Sequence, residues 1–257
     1  MIAFFFLALH ANCWCPLLHQ VIARQFSDEY FPDITETQRN AFVLGAIYAD
    51  GVDKSITHNI TRLRAMLNKY DSESEIYWFF MGNVAHIAPD MFAHAGRMRS
   101  FIVSHGLKHH LSEVAVDSLI AKTFHPPYLT LTQSLTDELT SLGIKFVKSF
   151  SVMYPSVYLM SKFPLYKTIP AIQNNICPRN GLDVSILNFF RHYDAMLECL
   201  RMVFPRIMDE TFNYLQLQET TTALVFDILC YESQDSNETK IDNLYTFYAN
   251  FYTSNSV

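Results

Sequence analysis

The stretch WFFMGNVAHIAPDMFAHAG, residues 78–96, combines an apolar helix with three chemically active side chains at equal spacing. Residues four apart lie on one face of a helix, so His86, Asp90 and His94 form a stripe that can converge on one cavity. Imidazole and carboxylate groups are ligands that suit Zn²⁺, and the two oxygens of a carboxylate can bridge two ions. The stretch therefore predicts a buried helix that presents metal ligands. Two half-buried structural histidines with a capping or solvated aspartate would produce the same spacing.

The rest of the chain has the same helical periodicity, and alternating strand patterns are nearly absent. Short segments rich in Gly, Pro and Asp separate the apolar runs. We predict helices over residues 16–26, 37–49, 57–70, 73–96, 108–124, 130–150, 183–204 and 210–231. The predicted fold class is all-α: a compact bundle of about seven to nine helices.

Composition limits the classes of function. Half of the 257 residues are hydrophobic, which is ample for a core, and the net charge of −6 argues against nucleic acid as a partner. There is no G-x-S-x-G motif and no Gly-rich phosphate loop, so a serine hydrolase and a nucleotide-binding fold are not indicated.

The amino-terminal residues MIAFFFLALHANC, residues 1–13, contain an apolar run of the length found in signal peptides. The run is far too short to cross a bilayer, and no later segment predicts a transmembrane span. We therefore expect a signal peptide over residues 1–13, a single domain over residues 14–257, and a secreted protein.

Further candidate ligands lie on both sides of this stripe in the sequence, all in the first half of the chain. His109 and Glu113 share a helix face at a four-residue spacing, and His110 offers the alternative three-residue spacing. Asp50 ends one apolar helix, and His58 begins the next predicted helix. His19 lies early in the first helix. A lone histidine is usually structural, but together these side chains are enough to hold two or three metal ions.

The order of these motifs resembles a known family. An early histidine, AFVLGAIYAD (residues 41–50), the Thr57-His58 pair, a G-x-x-x-H-x-x-x-D-x-x-x-H helix and a His/Glu helix are similar to the zinc-dependent phospholipase C domain family. The resemblance covers about residues 15–125. The four-residue gap between Asp90 and His94 is closer to the catalytic domain of glycosylphosphatidylinositol-specific phospholipase D than to the bacterial secreted phospholipases C or the fungal nucleases.

The resemblance implies a cluster of two or three zinc ions at the centre of the bundle. By that resemblance the first zinc would be bound by Asp50, His58, His86 and Asp90, with Asp90 bridging. The second would be bound by His94, His109 and Glu113, with His110 competing for the place of His109. The third would be bound by His19, Asp90 and the mature amino terminus. The family usually has Pro-Asp where this chain has Ala49-Asp50, which changes the turn that aims the carboxylate.

The function implied is a secreted zinc-dependent phosphodiesterase that acts on a phospholipid or glycolipid at a membrane surface. Metal-bound hydroxide would attack phosphorus, with Asp50 and Asp90 as the catalytic carboxylates. Two other readings remain open: a metal-dependent nuclease or nucleotidase with the same cluster, and a non-catalytic helical surface or binding protein whose metal is structural or lost.

Overall fold

Helices make up most of the described chain. The computed structural model describes residues 16–52, 54–94, 107–144, 154–155, 158–159, 161–163 and 183–208, and none of these residues forms a strand. The helices are α1 (Pro16–Tyr30), α2 (Glu36–Tyr48), α3 (Lys54–Thr57), α4 (Ile60–Leu67), α5 (Glu75–His94), α6 (Leu107–Phe124), α7 (Gln133–Ser141) and α8 (Asp183–Met208). A single 3₁₀ turn, Ala49–Gly51, follows α2. The prediction of an all-α fold is confirmed, while the predicted signal peptide and the predicted helix over 210–231 lie outside the described residues.

The helix predicted over residues 57–70 is wrong at its start, because a non-helical break at residues 58–59 separates α3 from α4. Asn59 has an extended backbone, and its side chain accepts a hydrogen bond from the backbone N–H of Arg62. An asparagine that caps a helix in this way starts a new helix instead of continuing the previous one. His58 consequently lies in the break, outside both helices.

The predicted helix over residues 130–150 is too long at both ends. Thr132 caps α7 through a hydrogen bond from the backbone N–H of Leu135, so the helix begins only at Gln133. The same helix ends at Ser141, and Gly143 follows with φ of +70°, a conformation that ends helices and that glycine adopts readily. Residues 145–150 lie outside the described part of the chain.

Helix α5 is the central element of the described bundle. It packs against α1, α2, α4, α7 and α8, and its side chains from Ile76 to Pro89 are mostly buried. The largest fully buried side chains around it are aromatic, among them Phe26, Phe42 and Phe204, whose rings contact one another. The stripe predicted from residues 78–96 therefore lies on a helix whose position is fixed from several sides.

Two glycines bring α2 and α5 unusually close together. A Cβ atom on Gly45 would overlap the backbone carbonyl oxygen of Phe79, and one on Gly82 would overlap that of Phe42. Each glycine thus faces the backbone of the other helix, where no side chain fits. This contact fixes the height and rotation of α5 relative to the end of α2.

The first turn of α1 is held by a buried carboxylate on α6. Asp117 is fully buried, and its Oδ1 accepts a hydrogen bond of 3.1 Å from the backbone N–H of Leu18. A carboxylate at this position satisfies one of the donors that a helix leaves open at its amino terminus. Asp117 therefore fixes the end of α1 that carries His19.

Within the described residues, no helix is sufficiently long and apolar to cross a membrane.

We predict that Gly82→Ala destabilises the fold by about 3 kcal/mol, because the added methyl group must push α2 and α5 apart. Helix propensity alone predicts the opposite sign, since alanine in a helix interior is favoured over glycine by about 1 kcal/mol. Urea unfolding followed by circular dichroism measures the change. Gly143→Ala is the control: its Cβ would meet nothing within 4 Å, so only the positive φ opposes it, at about 1 kcal/mol. A Gly82→Ala variant more stable than the parent would contradict the close contact.

Candidate metal centre

Five of the predicted ligands come together where the end of α2 meets the middle of α5. Asp50 lies in the 3₁₀ turn after α2, His58 lies between α3 and α4, and His86 and Asp90 lie on α5. His19 approaches from α1, and its ring stacks on that of His86 with centroids 4.1 Å apart. Three separate chain segments and one long helix thus contribute to one cluster.

Two carboxylates flank the same two imidazoles. His58 Nε2 lies 3.5 Å from Asp50 Oδ1 and 3.8 Å from Asp90 Oδ2. His86 Nε2 lies 3.6 Å from Asp50 Oδ2 and 4.0 Å from Asp90 Oδ1. These separations exceed the 2.7–3.2 Å of a good hydrogen bond. The four side chains therefore face a common point without bonding directly to one another.

The donor set and its spacing fit a metal ion. Ligands about 2.0–2.1 Å from a tetrahedral zinc lie about 3.3 Å from each other, close to the shorter separations here. The ligand atoms of Asp50, His58 and His86 lie within 4.8 Å of one another, as do those of His19, His86 and Asp90. His86 Nε2 is buried and has no hydrogen-bond partner within the described residues. A cation at this point would satisfy that nitrogen and offset two neighbouring negative charges.

The tautomer of His86 is set by the backbone of α2. Its Nδ1 lies 3.0 Å from the carbonyl oxygen of Ala46, and a carbonyl only accepts hydrogen bonds. Nδ1 must therefore carry the proton of the neutral ring, which leaves the lone pair on Nε2 toward Asp50 and Asp90. The contact exists because Gly45 and Gly82 allow α2 and α5 to approach closely.

The tautomer of His58 is set through Thr57. The buried Thr57 hydroxyl donates to the carbonyl oxygen of Ala49 over 2.6 Å, and its oxygen lies 3.0 Å from His58 Nδ1. Because the hydroxyl proton is already engaged, its oxygen accepts from Nδ1–H. Nε2 again keeps its lone pair on the side of the carboxylates. Such outer contacts orient metal-binding histidines and raise their basicity.

Exposure is uneven around the cluster. The side chains of Asp50 and His86 are only 2% and 1% exposed, whereas those of Asp90 and His58 are 18% and 22% exposed. The Asp50 side of the site is therefore closed by protein. The side of His58 and Asp90 is the one open to solvent.

A group of packed tyrosine rings begins at the end of α2. Tyr48 directly precedes the 3₁₀ turn, and its ring centroid lies 6.3 Å from that of Tyr154, which in turn stacks on Tyr128 at 5.2 Å. Burial, with a smaller contribution from Tyr128, raises the pKa of Tyr48 to about 12. Burial also raises the pKa of Tyr154. Both phenols are neutral at physiological pH.

The remaining predicted ligands are only partly located. His94 is the last residue of α5, and His109, His110 and Glu113 lie in the first half of α6, but their side chains are outside what the structure describes. Their part in a second metal site stays a prediction. Asp117, one turn beyond Glu113 on α6, bonds to the amino terminus of α1 through one oxygen.

Sequence reasoning identified the cluster residues but missed the groups that orient them. The Thr57-His58 pair is visible as a motif in the sequence. The Thr57 hydroxyl orients His58 only because its proton is taken by the carbonyl oxygen of Ala49, and no sequence pattern displays that contact. The reason for the glycine of the G-x-x-x-H motif, Gly82, appears only in the packing of α5 against α2. The available sequence signal is one glycine in each of these two helices, Gly45 and Gly82.

The described part of the chain is all-helical and brings histidines and carboxylates together in a candidate metal centre. Residues 18–162, more than half of the chain, match the sequence model of the family described as zinc dependent phospholipase C. The chain belongs to this family of zinc-dependent phosphodiester hydrolases, as the motif order indicated. No curated protein and no solved structure matches the chain.

We predict that Thr57→Val weakens zinc binding by about 10-fold to 100-fold, the usual cost of losing an outer-shell contact. Valine has nearly the same shape but cannot hold Nδ1–H of His58. Zinc affinity is measured by competition with a chromophoric chelator, and ¹⁵N NMR of the imidazoles reports the tautomer. Thr57→Ser, which keeps the hydroxyl, should retain parental affinity and the Nδ1–H tautomer. Equal zinc affinity of the valine variant and the parent would contradict the role given to Thr57.

Proposed function

We propose that this chain is a secreted zinc-dependent phospholipase that hydrolyses a phospholipid or glycosylphosphatidylinositol at the phosphodiester, with type C or type D cleavage. The observation that carries the proposal is the group of two imidazoles and two carboxylates around one point, in a chain that belongs to a zinc-dependent phospholipase C family. Its secretion rests on the apolar run within residues 1–13.

The cluster supports a division of ligands among two or three ions. Asp50, His58, His86 and Asp90 would hold one zinc, and Asp90 would bridge to a neighbour. His19, whose ring stacks on His86, would join Asp90 in a further site with the mature amino terminus. A second site would use His94, Glu113 and either His109 or His110, and its support is the family resemblance alone.

Zinc supplies two things to this reaction when bound: it lowers the pKa of water toward neutrality, and it offsets the charge that develops on the phosphoryl oxygens. The protein supplies orientation. Asp50 is buried between His58 and His86, which suits a fixed ligand. Asp90 is more exposed and lies on the accessible side, which suits a carboxylate that also orients or deprotonates the attacking water.

The open side of the site favours a substrate that enters past His58 and Asp90. Type C and type D cleavage attack the same phosphorus and differ in the oxygen that leaves. Which oxygen leaves depends on how the lipid lies along this opening. The proposal of a type D reaction on glycosylphosphatidylinositol rests on the Asp90 to His94 spacing.

Phosphorus NMR tests the proposed function directly. The secreted protein is incubated with phosphatidylcholine, glycosylphosphatidylinositol or an oligonucleotide, each with and without a zinc chelator. We expect a phosphorylated head group or phosphatidic acid that disappears with the chelator. A nucleotide product would move the chain to the nuclease class. A folded, zinc-loaded sample that cleaves none of the three would contradict the proposal and favour a binding protein.

We predict that Asp90→Asn lowers the hydrolysis rate by at least about 100-fold, because a ligand shared by two ions matters more than an outer-shell contact. Metal analysis should show a loss of bound zinc at the same time. Asp137→Asn on α7 is the matched control, since Asp137 is exposed and accepts a hydrogen bond only from the exposed Gln133 in the described contacts. An Asp90→Asn enzyme with full zinc content and full rate would defeat the bridging role.

A further inference from the structure

A concave site that contains none of the candidate metal ligands lies between the carboxyl-terminal half of α6 and residues 161–163. The cavity has a volume of about 370 Å³ and is lined by Ser118, Ala121, Lys122, His125, Ser161, Lys162 and Phe163. Two serines that are almost fully buried, Ser118 and Ser161, lie among these residues. The proposed hydrolysis uses none of these residues.

The charge of this cavity is opposite to that of the whole chain. Lys122 and Lys162 carry their positive charges at exposed positions, His125 lies exposed beside them, and none of the described lining residues is acidic. The chain as a whole carries a net charge of −6. A local concentration of basic groups on an acidic protein provides attraction to an anion at one place only.

Large apolar side chains project beside the basic groups. Leu159 is 65% exposed, Phe163 is 60% exposed and Tyr128 is 43% exposed. Single exposed apolar residues are common on proteins, but a group of them next to lysines marks an interaction surface. Aromatic rings combined with basic side chains are typical of proteins that lie at a membrane interface.

Specific contacts hold Tyr158, Ser161 and Lys162 in place. The Tyr158 hydroxyl donates to the carbonyl oxygen of Pro126, and the Ser161 hydroxyl donates to the carbonyl oxygen of Tyr158. Lys162 Nζ lies 4.3 Å above the Tyr158 ring, close enough for a cation–π interaction. Lys162 is therefore held beside Tyr158, and the exposed Leu159 and Phe163 directly follow these two residues in the chain.

A series of ring contacts runs from Tyr158 to the end of α2. Tyr158 contacts Tyr128 at 5.1 Å, and Tyr128 stacks on Tyr154 at 5.2 Å. Tyr154 contacts Tyr48, which directly precedes the turn that carries Asp50. Tyr158, next to Leu159 in the chain, is thus connected through packed rings to the last residue of α2.

We propose that Leu159, Lys162 and Phe163, with Lys122 and His125, form a docking surface for an anionic phospholipid membrane. The basic groups of the cavity take the phosphate of a lipid head group, while Leu159 and Phe163 enter the interfacial layer. The inference rests on the proposed function for its purpose, since a phospholipase must reach lipid in a bilayer. Lipid binding itself requires no hydrolysis.

Vesicle sedimentation tests the docking surface. Binding of the full chain is measured on vesicles of phosphatidylcholine alone and of phosphatidylcholine with phosphatidylserine. Lys162→Glu should weaken binding to the anionic vesicles by at least about fivefold, and Phe163→Ser should weaken it as well. The matched control is Lys69→Glu, because Lys69 also lies over a tyrosine ring, that of Tyr70, but away from this cavity. Circular dichroism checks that each variant is folded.

Equal binding of the parent to neutral and anionic vesicles would overturn the docking surface, and so would equal losses in Lys162→Glu and Lys69→Glu. Failure of the proposed function would be seen in a different result from failure of the docking surface. Selective binding to anionic vesicles without any lipid cleavage would uphold the docking surface and contradict the phospholipase. Cleavage of detergent-dispersed lipid without a preference for anionic vesicles would uphold the phospholipase and contradict the docking surface.

Discussion

The close approach of α2 and α5 at Gly45 and Gly82 is the constraint on which the site depends. With no side chain between them, each helix lies against the backbone of the other. This contact places the carbonyl oxygen of Ala46 within hydrogen-bonding distance of His86 Nδ1. One packing contact, made by residues with no functional groups of their own, thereby orients a candidate metal ligand, His86, on the central helix.

The carboxyl-terminal end of α2 serves the site in three ways. Its last turn supplies the carbonyl that orients His86, the following residue Ala49 supplies the one that orients His58 through Thr57, and the 3₁₀ turn supplies Asp50. Both imidazoles therefore direct Nε2 toward the carboxylates. Since Asp50 and His86 are closed off and Asp90 and His58 are partly open, the same geometry gives the candidate centre a buried side and a solvent-accessible side.

The sequence was sufficient for the helical class, for most helix positions and for the five ligands that come together, because four-residue spacing and apolar periodicity are local properties. The break at Asn59 was missed because periodicity continues across it, while a capping side chain decides otherwise. The bond from Asp117 to the start of α1 and the basic cavity beside Phe163 join residues distant in the chain. Such contacts depend on tertiary packing, which no local pattern encodes.

Anomalous X-ray diffraction at the zinc edge, on crystals of the protein grown with zinc, tests the central claim most directly. The account predicts a zinc peak about 2 Å from Nε2 of both His58 and His86, with carboxylate oxygens of Asp50 and Asp90 completing its ligands. Crystals that contain zinc at other positions, but none between these two imidazoles, would contradict the account.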